Sequence, residues 1–295
     1  MTEGGEYAAI LDEACAAAGL IADGAEPIRF GENAIFRLPG RVVARIARRG
    51  QELAARREVA VSGWLNASGI TAVAALTGVP QPVEVHGRSV TFWEELPAHH
   101  HGSLAQVAMV LKALHSLPVP GEVPLGRLDP FVRLPERIAE AATVTDDDRA
   151  WLRARARELH ASWAALPRGM PSCVVHGDAR TGNIVQTADG RVVMLDLERC
   201  SVGPPEWDLV STAVRHVTYR SINGPEYQAF CGAYGTDVTT WDGFTVLRDI
   251  RELRMTSFVA QQAATQARFE REASFRIACL RGFHGPRPWT WTPTD

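Results

Sequence analysis

The sequence has 295 residues, of which 46% are hydrophobic and 22% are charged, as in a globular chain with a sizeable core. Its net charge of −3 excludes a general attraction to nucleic acid or to an anionic membrane. The five cysteines are scattered and form no CxxC pair, which predicts reduced, mostly buried thiols. No signal peptide and no apolar run near the roughly 20 residues of a membrane span is found, which predicts a cytoplasmic protein.

The first part of the chain is dominated by short strand-like runs. Residues 5–18 predict a leading helix that ends at Gly19. PIRFG, AIFRL and RVVARIA are separated by turn residues and predict three antiparallel strands. Residues 51–68 predict a helix, and PVEVHGRSVTFWEEL adds two strands. Residues 1–96 therefore form a predicted small lobe with an antiparallel sheet and one inserted helix.

The pattern changes after Leu96, where a lobe boundary is predicted. LAQVAMVLKALHSL, LPERIAEAA and DDRAWLRARARELHASWAAL have the 3.6-residue apolar period of helices. One hairpin, NIVQT and RVVMLDLE around Asp189-Gly190, interrupts this helical pattern. Residues 97–295 therefore form a predicted larger, mainly helical lobe, and the fold class is α+β.

Two further segments carry expectations of their own. The run His99-His100-His101 is expected in an exposed loop, because adjacent histidines in a loop do not easily converge on one metal ion. The closing segment PRPWTWTPTD is expected to lie extended on the surface.

Three oxygen-bearing side chains surround the predicted hairpin. The segment VVHGDARTGNIVQTADGRVVMLDLE contains Asp178, Asn183 and Asp196. Phosphoryl transfer from a nucleotide needs a carboxylate that orients and deprotonates the attacking hydroxyl, and oxygen ligands that hold magnesium on the phosphates. These three side chains meet that need.

The same segment resembles a known family. HGDxxxxN, followed by a hairpin and DLE, is similar to the catalytic loop and metal-binding aspartate of the aminoglycoside phosphotransferase and choline kinase family, which are relatives of protein kinases. The resemblance implies a two-lobed protein-kinase-like fold, with Asp178 as catalytic base and Asn183 and Asp196 as Mg²⁺ ligands. It also implies that Arg180 contacts the migrating phosphate and that Glu198 supports the metal site.

A kinase-like small lobe requires a cation on a strand, held by a carboxylate on a helix. RVVARIAR offers Arg45 and RREVAVSGWL offers Glu58 for these roles. The only lysine, Lys112, lies in a helical pattern after the boundary and is unsuited to the strand position. Arginine in place of the protein-kinase lysine leaves the phosphate geometry open.

Two more segments are candidates for nucleotide binding. Gly31 and Asn33 lie between the first two strands, where backbone amides would meet phosphate, although GxGxxG is absent and a plain β-turn is an equal alternative. In WEELP, backbone atoms near Glu94 and Leu96 are placed to pair with an adenine base. ATP is the expected donor, and GTP is the alternative.

The predicted activity is transfer of the γ-phosphate to a hydroxyl of a small molecule, such as an aminoglycoside or another antibiotic. The alternatives are a metabolic kinase of an amino alcohol or sugar, and a catalytically silent nucleotide-binding or scaffolding protein, which the arginine at position 45 keeps open. Asp208 is implied to brace the catalytic loop. The acceptor and the oligomeric state stay open, and four aromatic residues suit either a choline cage or ordinary packing: Trp207, Tyr219, Tyr227 and Trp241.

Overall fold

The computed structural model describes residues 3–31 and 33–293. The chain divides into two compact units. The first unit comprises Met1–Gly126 with Thr181–Ser201, and the second comprises Arg127–Arg180 with Val202–Asp295. Compact packing alone does not define a nucleotide-binding or acceptor-binding lobe, so the functional boundary after Leu96 stays a prediction.

From the first helix to the fifth strand, the elements follow the predicted order along the chain. In the first unit up to Gly126 they are α1 (Glu3–Ala18), β1 (Glu26–Arg29), β2 (Ala34–Leu38), β3 (Val42–Arg49), α2 (Glu52–Ala67), β4 (Val83–Val85), β5 (Arg88–Glu94), β6 (His99–His101) and α3 (Leu104–His115). From Arg127 onward they are α4 (Leu134–Glu140), α5 (Asp146–Ala164), β7 (Cys173–Val175), β8 (Ile184–Thr187), β9 (Val192–Met194), β10 (Ser201–Gly203), α6 (Glu206–Val217), α7 (Gly224–Tyr234), α8 (Phe244–Ala263) and α9 (Glu270–Leu280).

The first unit is built on a five-stranded antiparallel sheet with the strand order β1-β2-β3-β5-β4. Because side chains alternate across a strand, Ala44 and Ile46 of β3 point into the core, while Arg45 between them points to the other face. Helix α1 packs on the core face through Ile10, which is fully buried together with Phe92. The alternation therefore places an arginine opposite the core, on the face that can carry chemistry.

The first unit also holds a three-stranded sheet with the order β6-β8-β9. The predicted loop at the histidine run is wrong, because these residues form β6 and pair antiparallel with β8. A periodicity argument misses such a strand because all three side chains are exposed and polar, and only backbone pairing defines it. Among the described residues, no group of three or more His, Cys, Asp or Glu side chains is arranged to hold a metal ion.

The second unit is mainly helical. Helix α8 packs against α4, α5, α6 and α9. Small residues line one core cluster of α8, in which Ala260 of α8 packs with Ala141 after α4 and with Ala273 of α9, and all three are fully buried. Strands β7 and β10 form a two-stranded sheet. Within the described ranges, no helix has both the length and the apolar character needed to cross a bilayer.

The C-terminal segment is packed rather than extended on the surface, which corrects the expectation from its proline content. Trp289 and Trp291 stack with their ring centroids 5.2 Å apart and are 7% and 3% exposed. They pack against the buried Cys279, and the Trp289 amide donates to the Thr218 carbonyl oxygen at 2.7 Å. The burial of two large aromatic side chains outweighs the turn-forming character of the surrounding prolines.

An ion pair also holds this segment in place. Arg287 donates to both carboxylate oxygens of Glu252, at 2.7 and 2.5 Å, and Glu252 is fully buried. We expect Arg287→Ala to lower the free energy of unfolding in urea by about 3 kcal/mol, because it leaves a buried carboxylate without its main partner. Arg56→Ala is the control, since it removes an exposed pair with Glu52 and should change stability by less than about 0.5 kcal/mol. Equal effects of the two substitutions would contradict this account.

The cysteines are free and buried, as predicted. Burial, supported by the charge of Asp12, raises the pKa of the Cys15 thiol to about 11. Burial likewise raises the pKa of Cys173 to about 12, with smaller contributions from nearby carboxylates. Because the thiolate is the reactive form, we expect all five thiols to resist a thiol reagent at pH 8 in the native protein and to react promptly in guanidinium. Rapid labelling before denaturation would contradict the buried placement.

Candidate active site

In the first unit, Arg45 is held between two carboxylates. Its Nη1 atom donates to both oxygens of Glu58 on α2, at 2.5 and 2.6 Å, and its Nη2 atom donates to Glu198 Oε2 at 2.6 Å. The side chains of Arg45 and Glu58 are only 15% and 5% exposed. Arg45 and Glu58, the predicted strand cation and helix carboxylate, thus form a direct, largely buried ion pair. Glu198 is a second anion bound to the same arginine.

The electrostatics of this cluster follow from an excess of acids around one cation. Burial raises the pKa of Glu58 to about 7, against the lowering effect of Arg45, and the charges of Asp196 and Glu198 add to the rise. Burial opposes the charge on Arg45, but the surrounding carboxylates, first that of Glu58, outweigh it and raise the pKa of the guanidinium. Additional positive charge at this cluster would therefore stabilise it.

Asn183 and Asp196 lie at the same end of the β8–β9 hairpin. Asn183 directly precedes β8, Asp196 follows two residues after β9, and the Leu195 amide donates to the Asn183 carbonyl oxygen at 2.8 Å. Asp196 has a φ of 56°, a left-handed conformation that is uncommon outside glycine. The hairpin therefore brings an amide and a carboxylate to one end of a rigid element.

The side chains of Asn183 and Asp196 suit magnesium, because magnesium prefers oxygen ligands. Magnesium in nucleotide sites is commonly held by one or two protein side chains, with phosphate and water oxygens completing the octahedron. Asn183 is 4% exposed and Asp196 is partly buried. The donor set fits a metal carried by nucleotide phosphates.

The predicted nucleotide-loop residues lie between the first two strands. Gly31 is exposed and Asn33 is partly buried, while Glu32 lies outside the described residues. At the end of β5, the Glu94 amide donates to the Ala74 carbonyl oxygen at 2.9 Å. The next amide, that of Glu95, donates to the Arg41 carbonyl oxygen at 2.9 Å. Both amides thus already donate hydrogen bonds within the unit.

In the second unit, the segment after β7 is held by a buried carboxylate. The backbone amides of His176 and Gly177 donate to the two oxygens of Asp208, at 2.7 and 2.8 Å, and Asp208 is fully buried. This confirms the predicted brace. The Asp178 amide donates to His176 Nδ1 at 3.2 Å. Gly177 has a φ of 85°, which a side chain would disfavour.

The Asp178 carboxylate is 37% exposed and lies near two guanidinium groups. Arg180 Nε is 3.7 Å from Oδ2, and Arg251 Nη1 from α8 is 4.0 Å from Oδ1. Arg180 was among the predicted site residues, whereas Arg251 was not. No local sequence signal could have identified Arg251, since it lies 73 residues from Asp178 and reaches it only through the packing of α8.

The four aromatic residues weighed as a choline cage have separate roles in the second unit. Trp207 and Tyr227 are 1% and 2% exposed, and Tyr219 stacks on Trp291. Trp241 donates through Nε1 to the Arg168 carbonyl oxygen at 3.2 Å. Each ring thus has contacts of its own within the unit, and Trp207 and Tyr227 are too buried to face an acceptor.

Comparisons with known proteins identify a family for this chain. The sequence model of a protein family described as the phosphotransferase enzyme family matches residues 24–248. A search of curated proteins found no significant match.

Solved structures show the same fold at low sequence identity. A choline/ethanolamine kinase family protein from Mesorhizobium loti has a TM-score of 0.60 at 20% identity, over 92% of this chain and 94% of its own. An amicoumacin kinase in complex with AMP-PNP and Ca²⁺ has a TM-score of 0.67 at 14% identity, over 94% and 96%. A GDP complex of an aminoglycoside 2'-phosphotransferase has a TM-score of 0.62 at 12% identity, over 95% and 97%. The predicted kinase-like α+β fold is thereby confirmed.

Proposed function

Because the chain belongs to the phosphotransferase enzyme family, we propose that it transfers the γ-phosphate of ATP to a hydroxyl group of a small molecule, with Asp178 as the base. The family makes the chain a small-molecule phosphotransferase, which argues against the silent scaffolding protein. The observation that carries the proposal is the Asp178 carboxylate, which is partly exposed on a loop whose preceding amides are fixed by the buried Asp208. A fixed carboxylate that remains accessible is what a general base requires.

In the second unit, Asp178 would accept the proton of the acceptor hydroxyl as the oxygen attacks phosphorus. Its amide is bonded to His176 Nδ1, so the residue is oriented through its backbone as well. Arg180, 41% exposed and 3.7 Å from Asp178, would contact the migrating phosphoryl group and offset its negative charge.

In the first unit, we assign Asn183 and Asp196 as the Mg²⁺ ligands. Magnesium, when bound, would neutralise the negative charge that develops on the phosphates during transfer. Asn183 and Asp196 would hold their oxygens at the hairpin end, and Glu198 would support them through its bond to Arg45. The excess of acids around Arg45 is consistent with a site that gains a divalent cation.

We assign Arg45 to the α- and β-phosphates, with Glu58 holding it in place. Gly31 and Asn33 would contribute the loop between the first two strands. The amides of Glu94 and Glu95 are engaged within the unit, so we place adenine pairing on the Glu94 carbonyl group and on the backbone of Leu96. A backbone contact of this kind depends little on which side chains are present.

The donor and the acceptor are the open parts of the proposal. ATP is the proposed donor because the amicoumacin kinase is similar in fold and was solved with AMP-PNP, while the GDP complex of an aminoglycoside phosphotransferase keeps GTP as the alternative. An antibiotic with a free hydroxyl is the proposed acceptor, and an amino alcohol or sugar is the alternative that the choline/ethanolamine kinase neighbour supports. Reduced thiols favour the cytoplasm as the place of action.

The test is turnover of ATP and GTP, with and without Mg²⁺, against a panel of aminoglycosides, other hydroxylated antibiotics, amino alcohols and sugars. Product mass identifies the phosphorylated acceptor. We expect Mg²⁺-dependent formation of one class of phosphate ester above the rate of nucleotide hydrolysis. Absence of product with every acceptor and both nucleotides would reject the proposal.

A further inference from the structure

Arg251 contacts both the proposed catalytic loop and the helix that braces this loop. Its Nη2 atom donates to the Gly177 carbonyl oxygen at 3.1 Å and to the Trp207 carbonyl oxygen at 3.2 Å. Its guanidinium stacks on the Trp207 ring at 4.0 Å from the centroid, and its Nη1 atom is 4.0 Å from Asp178 Oδ1. One side chain from α8 thus meets the peptide before Asp178, the helix that braces it, and the carboxylate itself.

These contacts complete the fixation of one peptide unit. Asp208 accepts hydrogen bonds from the amides on the N-terminal side of Asp178, as described above. The Gly177 carbonyl oxygen, which accepts from Arg251, also accepts a second hydrogen bond, from Trp207 Nε1 at 3.2 Å. The Gly177–Asp178 peptide is therefore held by two donors at its oxygen, and Arg251 is the charged one.

The surroundings of Arg251 make it a stiff support. The residue is 8% exposed, and it projects from a helix of 20 residues that packs against several others. A planar guanidinium that lies over an indole ring and donates two hydrogen bonds has little freedom to move. A displacement of about 1 Å at a reacting group can cost about 100-fold in rate, so such a support matters for chemistry.

We propose that Arg251 is a positioning residue that holds the Asp178 carboxylate in its reactive orientation through the Gly177 carbonyl group and the Trp207 ring. This proposal rests on the proposed function for its effect on turnover, but its effect on the loop is independent of any reaction. The support comes from α8, which is distant in sequence from the His176-Gly177-Asp178 segment.

The first arm of the test measures amide hydrogen exchange in residues 173–180. We compare wild type with Arg251→Lys and Arg251→Met. Arg248→Met is the matched control, because Arg248 is on the same helix and pairs with Asp249 instead. We expect exchange in this segment to rise about tenfold in Arg251→Met and less in Arg251→Lys, with no local rise in the control. If Arg251→Met fails to fold, Arg251→Lys alone decides, because lysine keeps the charge but cannot reproduce the planar double donation.

The second arm measures kcat and KM with the acceptor that the panel identifies. We expect Arg251→Met to lower kcat about 100-fold with the KM for ATP within about twofold, and Arg251→Lys to recover part of the loss. Unchanged exchange in residues 173–180 would overturn the proposal, as would raised exchange without a loss of kcat. If wild type turns over no acceptor, the proposed function fails, while the exchange arm still tests the support of the loop.

Discussion

Replacement of Asp178 by asparagine is expected to lower kcat about 1,000-fold, because asparagine keeps the shape of the side chain but cannot take the hydroxyl proton. Nucleotide affinity, measured by calorimetry with a non-hydrolysable analogue, should stay within about twofold. The proposed contacts to the phosphates and to the adenine ring belong to other residues. The split between kcat and binding identifies a role in the chemical step.

Asp146→Asn is the control for this experiment. Asp146 lies in the first turn of α5 and is fully exposed, so the same change of charge there should leave kcat unaffected. Alanine at position 178 should behave like asparagine. Turnover within about threefold of wild type in either Asp178 variant would reject the assignment of the base.

Replacement of Arg45 by methionine is expected to weaken both folding and ATP binding. The free energy of unfolding in urea should fall by about 3–5 kcal/mol, because Glu58 is left buried without its cation. ATP affinity should fall by about 10- to 100-fold, because a charge-assisted contact to phosphate is worth about 1.5–3 kcal/mol.

The double variant Arg45→Met with Glu58→Met separates these two effects. Replacing both partners by apolar groups of similar volume removes the uncompensated charge, so most of the lost stability should return. ATP affinity should stay as low as in the single variant, because the cation is still absent. Recovery of ATP affinity together with stability would assign Arg45 a structural role only.

The sequence was most informative where function depends on local spacing. His176 to Asp178 and the hairpin that follows lie within one short segment, so their order could be read directly. The ion pair of Arg45 with Glu58 was also predictable, since one residue alternates with core positions on a strand and the other lies on the next helix. In each case a short-range period determined where the side chain points.

Long-range packing set the parts that the sequence could not reveal. Arg251 reaches Asp178 only because α8 packs beside α6, and nothing near either residue encodes that approach. The C-terminal tryptophans were misjudged because local proline content says nothing of the apolar surface that Cys279 and its neighbours offer. The histidine strand was missed because its pairing depends on β8, more than 80 residues away.

If Arg45 contacts the nucleotide phosphates as proposed, it would also determine how this protein responds to reactive nucleotides. Reagents that place an acyl phosphate or a sulfonyl fluoride beside the nucleotide capture kinases by modifying a lysine amine. A guanidinium stays protonated and is a poor nucleophile under the same conditions. The only amine on a side chain, Lys112, lies on α3 rather than on the strand that carries Arg45. Under the proposed function, we therefore expect such reagents to leave this protein unlabelled even where it binds the parent nucleotide.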